Sequence, residues 1–392
     1  MNRQQIRELT DAMYPEVVRI RRHFHENAEV SEHEYETCQF ILDYLAERNI
    51  ECRRIAGTGV VATVYGNGSN RTIGIRADID ALPVTEKTGL PFASKRPGSM
   101  HACGHDMNAA TLLGAAAVLN QVRDQLNGNV KFFFQPAEET IGGAERMIQD
   151  GCLENPKVDV GLALHMDAVN PVGTVTFRYG PMYASTTDFK IHVKGKSSHG
   201  AHPEMGADAI IMAGNLVSAF QTIISRNMDP TDPLVITIGT IHGGTAENIV
   251  TGQVDMTGTL RSLNLEHRDF AKKRMVEIAD SITAAYGGSC EIEFFDGFPP
   301  LVNDQNITDT MVSLAQEAFG TENVLFRDRA SMGADDFAYF CQEVPATYWI
   351  VGAAVEKEEE RKSLHNEYLI LEEEAMRNGL YLELAGVFEL LK

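Results

Sequence analysis

Hydrophobic positions along the chain alternate between a helical spacing and a strand spacing. Near the N-terminus apolar side chains recur every three or four positions, which predicts an amphipathic helix. Its apolar face is Ile6, Leu9, Met13, Val17, Ile20 and Phe24. Short apolar runs typical of buried strands follow at 59–65, 72–77, 130–134 and 158–164, with helical stretches such as 109–125 between them. This alternation predicts an α/β fold, and we expect these strands to pair in parallel.

The pattern changes from about residue 187. A strand ending at 193 is followed by a helix at 207–226, strands at 234–241 and 253–260, a helix at 266–286 and a strand at 289–295. This β-α-β-β-α-β order is that of the ferredoxin-like arrangement. Helix–strand alternation resumes after Pro299 and Pro300, with a strand at 348–351 and a helix at 372–391. We therefore expect a ferredoxin-like domain at 184–296, inserted into a mixed-sheet α/β domain made of 1–183 and 297–392.

Charge and cysteine usage exclude several classes of partner. The formal net charge of −21 at pH 7 argues against nucleic acid and anionic membrane surfaces as partners. No uninterrupted apolar run approaches the roughly 18 residues that span a bilayer, and the polar N-terminus has no signal-peptide pattern. The 6 cysteines include no C-x-x-C pair, so a disulfide framework is not expected. We expect a cytoplasmic protein.

The segment 100–106 has the composition of a metal site. It places Cys103 between His101 and His105 and ends in Asp106. Thiolate and imidazole are ligands for zinc and related metals, and a nearby carboxylate can orient an imidazole. The alternative is that these are unrelated residues of a loop.

Other residues with the same chemistry follow predicted strands. Asp78 and Asp80 follow the strand ending at 77, and His165 follows the strand ending at 164. Glu138 and Glu139 follow the strand ending at 134, and His365 lies after the strand at 348–351. Ligands bind beside the carboxyl ends of strands in such sheets, so these side chains can converge. Taken singly, the aspartates could be caps, the histidine a core residue and the glutamates a solvated pair.

The number of candidate ligands predicts two metal ions. The five are Cys103, His105, Glu139, His165 and His365. One tetrahedral ion with an open position needs fewer, and a thiolate can bridge two ions that together activate water. Glu138, next to a ligand, is then the general base. Asp80 is expected to fix the imidazole or the charge of a ligand rather than to bind an ion itself. Manganese or zinc is expected, and cobalt or nickel would also suit these ligands.

Motifs along the whole chain resemble the M20 metallopeptidase family. The similarity is to its amidohydrolase branch, which includes hippurate hydrolases, N-acyl-amino-acid amidohydrolases and hydrolases of auxin–amino-acid conjugates. The matching segments are 21–25 with Glu29, 76–83, 100–106, 134–139 with 142–144, 194–195 with 198–199, and 363–365. The loop 331–337 resembles one that lines the family's cleft, although its acids could simply cap the next helix.

The resemblance implies roles for individual residues. It places the metal ligands on the same five residues, the catalytic base on Glu138 and a lid histidine, an oxyanion donor, on His199. It also implies that Asn248 and Arg261 bind the substrate's carboxylate, although Arg261 could equally form a surface ion pair. In this family the inserted domain is a lid that dimerises, so a homodimer, or a tetramer, is expected.

Two positions depart from the family's pattern. Asn108 stands where these relatives usually have a second histidine, and Ala28 stands where a proline is common. Neither change removes a candidate ligand. The change from histidine to Asn108 instead alters the hydrogen-bonding groups behind the site. It therefore bears on substrate preference more than on activity.

The sequence therefore predicts a dinuclear metal amidohydrolase that splits N-acyl amino acids into a carboxylic acid and a free amino acid. A dipeptidase or aminopeptidase of the same family is the first alternative. A non-haem iron oxygenase that uses His105, His165 and Glu139 is a second, and Cys103 and Glu138 count against it. A non-catalytic protein that captures acyl amino acids is the third.

Overall fold

The computed structural model describes residues 1–140 and 142–392. The chain forms two compact units. Unit 1 comprises Met1–Gly180, Val302–Arg329 and Asp336–Lys392. Unit 2 comprises Pro181–Leu301 and Ala330–Asp335.

The elements alternate as the hydrophobic pattern predicts. Up to residue 180 they are α1 (Arg3–Glu26), α2 (Tyr35–Glu47), β1 (Glu51–Ile55), β2 (Gly59–Tyr65), β3 (Thr72–Asp78), α3 (His105–Gln121), β4 (Asn129–Gln135), α4 (Gly143–Gln149), β5 (Val160–Pro171) and β6 (Val175–Phe177). Next come β7 (Gly180–Tyr183), β8 (Ser185–Lys194), β9 (Ser198–His199), α5 (Ala209–Thr222), β10 (Leu234–Gly243), β11 (Ile249–Val250), β12 (Gln253–Ser262), α6 (Leu265–Ala285) and β13 (Ser289–Asp296). The remainder are β14 (Leu301–Asn303), α7 (Gln305–Phe319), β15 (Val324–Phe326), α8 (Ala338–Glu343), β16 (Ala346–Ala354) and α9 (Ala375–Leu390).

Unit 1 is built on a mixed eight-stranded sheet in the order β1-β2-β4-β3-β5-β16-β6-β15. Its centre, β4-β3-β5-β16, is parallel as expected. The expectation of parallel pairing is wrong for β2, which is antiparallel to β4. Only residues 66–71 join β2 to β3, too few for the helical crossover that parallel strands need, so the chain reverses direction there.

Helices cover both faces of this sheet. The helices α1, α3 and α9 pack against one another, and α3 and α9 contact the central strands. On the opposite face Phe133 of β4 stacks on Phe340 of α8, with ring centroids 5.2 Å apart. Because both faces are buried, β4 carries three consecutive phenylalanines, Phe132–Phe134, rather than an alternating pattern. The apolar face predicted for α1 does face the core.

Unit 2 is a four-stranded antiparallel sheet in the order β10-β12-β8-β13 with two helices. The chain order of these elements is β8-α5-β10-β12-α6-β13. Alternate residues of β8, including Phe189, Ile191 and Val193, enter a core shared with α5 and α6. The segment Ala209–Asn227 is long and apolar enough, by length and composition alone, to cross a membrane. Polar residues interrupt it, and its buried side chains pack in this core.

Candidate active site

The five predicted metal ligands come together in unit 1. The ligand atoms of Cys103, His105 and His165 lie within 4.8 Å of one another. The same holds for Cys103, Glu139 and His365, so the cysteine belongs to both groups. In a third group, the ligand atoms of Glu138, His105 and Glu139 also lie within 4.8 Å of one another. A thiolate shared between two sets of ligands has the arrangement that a bridge between two ions requires.

The backbone around His105 aims its ring into this cluster. Gly104 precedes α3 with φ +88°, a conformation that favours glycine, and His105 is the first residue of the helix. Its Nδ1 lies 2.9 Å from the carbonyl oxygen of Asp80 and 3.2 Å from that residue's carboxylate. Because a carbonyl only accepts, Nδ1 carries a proton, and in the neutral ring the lone pair of Nε2 faces the cluster. The buried Nε2 has no hydrogen-bond partner within residues 1–140 and 142–392 and lies 3.9 Å from Glu139 Oε1.

His165 is held in the same way from a different strand. The prediction that it follows a strand is wrong, because β5 continues to Pro171 and includes it. Its Nδ1 lies 2.8 Å from the carbonyl oxygen of Met166, and its Nε2 lies 3.7 Å from Cys103 Sγ. The Nδ1 proton therefore points at the backbone and Nε2 points at the thiol.

Glu139 and His365 meet across two strained loops. Ala137, just before the glutamate pair, has φ +54°, and its N–H donates to Glu34 Oε1 at 2.8 Å. His365 has φ +67°, and its N–H donates to the carbonyl oxygen of Ala102 at 2.7 Å. His365 Nε2 then lies 3.1 Å from Glu139 Oε1. Positive φ in residues other than glycine costs energy, which these hydrogen bonds offset.

The electrostatics of the cluster fit a bound cation. Burial raises the pKa of the Cys103 thiol well above its ordinary value. Burial alone would lower the pKa of His105, but Asp78, Cys103 and Asp80 outweigh it and raise that pKa. Burial also opposes ionisation of Glu139, yet its hydrogen bond to His365 and the charge of His105 keep its pKa low. A thiol, imidazoles and a carboxylate together suit zinc, manganese or cobalt as ligands, and a bound cation would favour the thiolate.

Asp80 lies behind the ligands, where it was predicted. Besides contacting His105, its Oδ2 accepts hydrogen bonds from Ser31 Oγ at 2.7 Å and from the N–H of Glu139 at 3.1 Å. One carboxylate therefore orients a ligand on α3 and the loop that carries another ligand.

A buried ion network surrounds Arg76, which was not among the predicted site residues. Its fully buried guanidinium donates to Asp78 Oδ2 at 2.7 Å, Gln135 Oε1 at 2.7 Å and Asp336 Oδ1 at 2.9 Å. Asp336 also accepts from the N–H of Ala144 at 3.1 Å, so its carboxylate joins β3, β4 and the start of α4. The signal available in the sequence was an arginine inside an otherwise apolar strand, which requires a buried partner.

The remaining predicted residues belong to unit 2. His199 pairs with Ile249 in the short β9–β11 ladder, and the N–H of Gly200 donates to the carbonyl oxygen of Asn248 at 2.7 Å. His199 and Asn248 are thus brought together, whereas Arg261 lies near the far end of β12. Within the described residues, the guanidinium of Arg261 donates to two neutral oxygens, those of Thr259 and Leu260. The ion pair considered for it is not found among the described residues.

The chain is similar in sequence and in structure to known proteins. Residues 74–385 match the model of peptidase family M20/M25/M40. The chain is 40% identical over 338 residues to an N-acetyl-L-cysteine deacetylase of Bacillus subtilis, covering 86% of this chain and 80% of that protein. It is 36% identical over 379 residues to thermostable carboxypeptidase 1 of Saccharolobus solfataricus, covering 95% and 94%. It also matches the crystal structure of a dinuclear metal-binding M20 peptidase of Bacillus subtilis, with TM-score 0.85, 33% identity and coverage of 97% and 99%.

Proposed function

Because this chain belongs to peptidase family M20/M25/M40, a family of metal-dependent hydrolases, we propose that it hydrolyses the amide bond of N-acyl amino acids. The products are a carboxylic acid and a free amino acid. The observation that carries the proposal is the sharing of Cys103 between two ligand groups, with Glu138 beside them. The relative that acts on N-acetyl-L-cysteine supports this class of substrate.

The five clustered residues would hold two divalent ions. His105 and His165 would hold one ion and Glu139 and His365 the other, and Cys103, which belongs to both groups, would contribute its thiolate to the site. Manganese or zinc is our first expectation, with cobalt and nickel as alternatives. Such ions polarise the amide carbonyl and lower the pKa of bound water. Asp80 orients His105 and the Glu139 loop from behind.

Glu138 is the proposed general base. Its carboxylate oxygen lies within 4.8 Å of ligand atoms of His105 and Glu139, and this closeness to two candidate ligands supports the role. It accepts a proton as the water oxygen bonds to the carbonyl carbon. It returns the proton to the nitrogen as the C–N bond breaks, so the amine leaves neutral.

His199 is the proposed donor to the oxyanion. The N–H of Ala201 donates to His199 Nδ1 at 3.0 Å, so in the neutral ring the proton is on Nε2. The imidazole is exposed and offers that N–H outward. A donor aimed at the developing negative charge is worth a few kcal/mol in such reactions.

Arg261 and Asn248 are the proposed contacts of the substrate's carboxylate. The guanidinium of Arg261 has no anionic partner among the residues that the structure describes, and such a group is well suited to bind a carboxylate with two parallel hydrogen bonds. His199 and Arg261, however, lie at opposite ends of unit 2. The eight residue-to-residue steps along β12 from Gln253 to Arg261 alone span about 26 Å, far more than one acyl amino acid.

This separation favours a site completed by a second copy of the chain. We propose that unit 2 is a ferredoxin-like lid through which the protein dimerises. In this proposal Arg261 serves the substrate bound to its own subunit, whereas His199, together with Asn248 beside it, serves the substrate of the partner.

A carboxypeptidase-like activity is the competing function, because a relative of that name is also similar over most of this chain. A substrate panel on metal-loaded protein separates the two: N-acetyl and N-benzoyl amino acids on one side, unblocked dipeptides and blocked peptides on the other. We expect amine release from the N-acyl amino acids at the higher kcat/KM. Preference for the peptides would establish the competing function, and no hydrolysis of any amide would refute both.

A further inference from the structure

The central strands β3 and β5 both carry candidate metal-site residues, and the pairing between these two strands ends just before those residues. The last residue pair that joins β3 to β5 is Arg76 with Ala163. Asp78 and His165 each lie two residues further along their strands, beyond that last pair. Something other than the strand ladder must therefore hold these two residues at a fixed separation.

The side chain of Asn108 occupies this position. Asn108 is fully buried in the first turn of α3. Its Nδ2 donates to Asp78 Oδ1 at 2.8 Å, and its Oδ1 accepts from the N–H of Met166 at 3.2 Å. One side chain thus joins β3 to β5 beyond the end of their ladder.

Each of these two hydrogen bonds joins Asn108 to a residue that itself lies beside a candidate ligand. The carbonyl oxygen of Met166 holds Nδ1 of His165, so the position of Met166 sets the aim of that ring. Asp78 Oδ2 lies 3.8 Å from His105 Nε2. The two partners of Asn108 also determine which side chain suits position 108, because the Asp78 carboxylate only accepts hydrogen bonds and the Met166 N–H only donates. A neutral amide satisfies both at once.

We propose that Asn108 is a positioning residue of the metal centre, which clamps β3 to β5 so that His105 and His165 keep the relative positions that bound ions would require. This inference rests on the proposed two-metal function. It assigns a purpose to a residue that is not one of the five candidate ligands. The hydrogen-bonded partners behind metal ligands commonly change metal affinity about 10–100-fold when they are replaced.

Titration of metal-free protein with Co²⁺ tests the proposal, because cobalt absorption reports both affinity and thiolate coordination. Asn108→Leu removes both hydrogen bonds at similar volume. Asn108→Asp keeps the acceptor for Met166 but places a second carboxylate against Asp78. We expect both variants to weaken Co²⁺ binding roughly 10–100-fold and to change the cobalt spectrum.

A charge swap separates positioning from simple damage to the fold. In the double variant Asp78→Asn/Asn108→Asp, residue 78 donates to residue 108 and still offers an oxygen to Arg76, and the net charge is conserved. We expect it to recover most of the affinity that Asn108→Asp loses. The matched control is Asn120→Asp on the same helix, whose side chain donates only to the carbonyl oxygen of Arg48. It should leave Co²⁺ binding unchanged.

Two results would overturn the inference. One is a folded Asn108→Leu protein, checked by circular dichroism, with wild-type Co²⁺ affinity and spectrum. The other is a double variant that binds Co²⁺ no better than Asn108→Asp alone. The readout is independent of substrate: a wild-type protein that binds two Co²⁺ but cleaves no amide would refute the proposed function and leave this inference standing.

Discussion

The candidate residues of unit 1 and those of unit 2 are held in opposite ways. In unit 1 the ligand rings are buried or anchored at one nitrogen by backbone carbonyls or carboxylates, as His105 and His165 show. In unit 2 His199 is exposed, and the contacts described for the Arg261 guanidinium are neutral oxygens of its own strand. The first arrangement is preorganised for metal ions, whereas the second presents a hydrogen-bond donor and a cation whose described contacts include no anion.

This difference predicts two separable classes of variant. Changes in unit 1 should alter metal binding or the chemical step within one chain. Changes in unit 2 should leave metal content intact and alter the use of substrate. The following experiments test that division, beginning with the largest expected effect.

Replacing the proposed base should abolish turnover without loss of metal. We expect Glu138→Gln to bind both ions and to lower kcat about 10³–10⁴-fold, because the proton path from water to the amine is gone. Steady-state assay and metal analysis of the same preparation measure the two effects. Glu145→Gln, exposed on the following helix, is the control and should behave as wild type. A Glu138→Gln enzyme with near-normal kcat would remove the base assignment.

His199→Ala should lower kcat about 10²–10³-fold with unchanged metal content, through loss of the oxyanion donor. His202→Ala is the matched control, since it is exposed in the same loop with its ring 5.7 Å from that of His199. Little effect of His199→Ala would contradict the role.

Mixed dimers then test which subunit His199 serves. When Glu138→Gln and His199→Ala chains assemble at random, half of the dimers are heterodimers with one intact composite site, so about a quarter of wild-type activity should return. If His199 serves its own subunit, every site carries one defect and no activity returns.

Arg261→Met should raise KM about 10–100-fold for substrates with a free carboxylate, because a charge-assisted pair is lost. The effect should vanish for the corresponding methyl esters. Arg268→Met, which removes a cation already paired with Asp269 at 3.0 Å, is the control. An equal loss for acids and esters would mean that Arg261 supports the fold instead.

The smallest effect concerns Glu383, a buried acid of unit 1 for which the described part of the chain offers no hydrogen-bond partner at either oxygen. Burial raises its pKa well above the ordinary value, so the folded state keeps it protonated. As the pH rises above the unfolded-state pKa, the unfolded chain releases this proton and gains stability relative to the fold.

Thermal unfolding at several pH values checks the sign. The Tm advantage of Glu383→Gln over wild type should be small near pH 4 and grow to roughly 2–4 °C by pH 8. Glu389→Gln on the same helix, which loses ion pairs with Arg3 and Lys392, should lower Tm instead. An advantage independent of pH would show that Glu383 does not titrate between the two states.

Chemically distinctive residues were predictable because their type limits what they can do. Cys103 and His105, two positions apart, together with acids and histidines at strand ends, indicate a metal site by residue type and spacing alone. The helices and strands of unit 2 were predictable for a similar reason, since each has an apolar face of clear period. Strand direction was not: β2 has the same buried composition whichever way it runs.

The sequence by itself determined which elements form and which residues carry the chemistry, because hydrophobic period and side-chain type are local properties. Only the tertiary structure decided the partners: that Arg76 joins Asp78 to Asp336, and that Asn108 joins β3 to β5. It also decided that His199 and Arg261 lie at opposite ends of unit 2. Such contacts join residues far apart along the chain, and their donors and acceptors become specific only when folding brings them within about 3 Å.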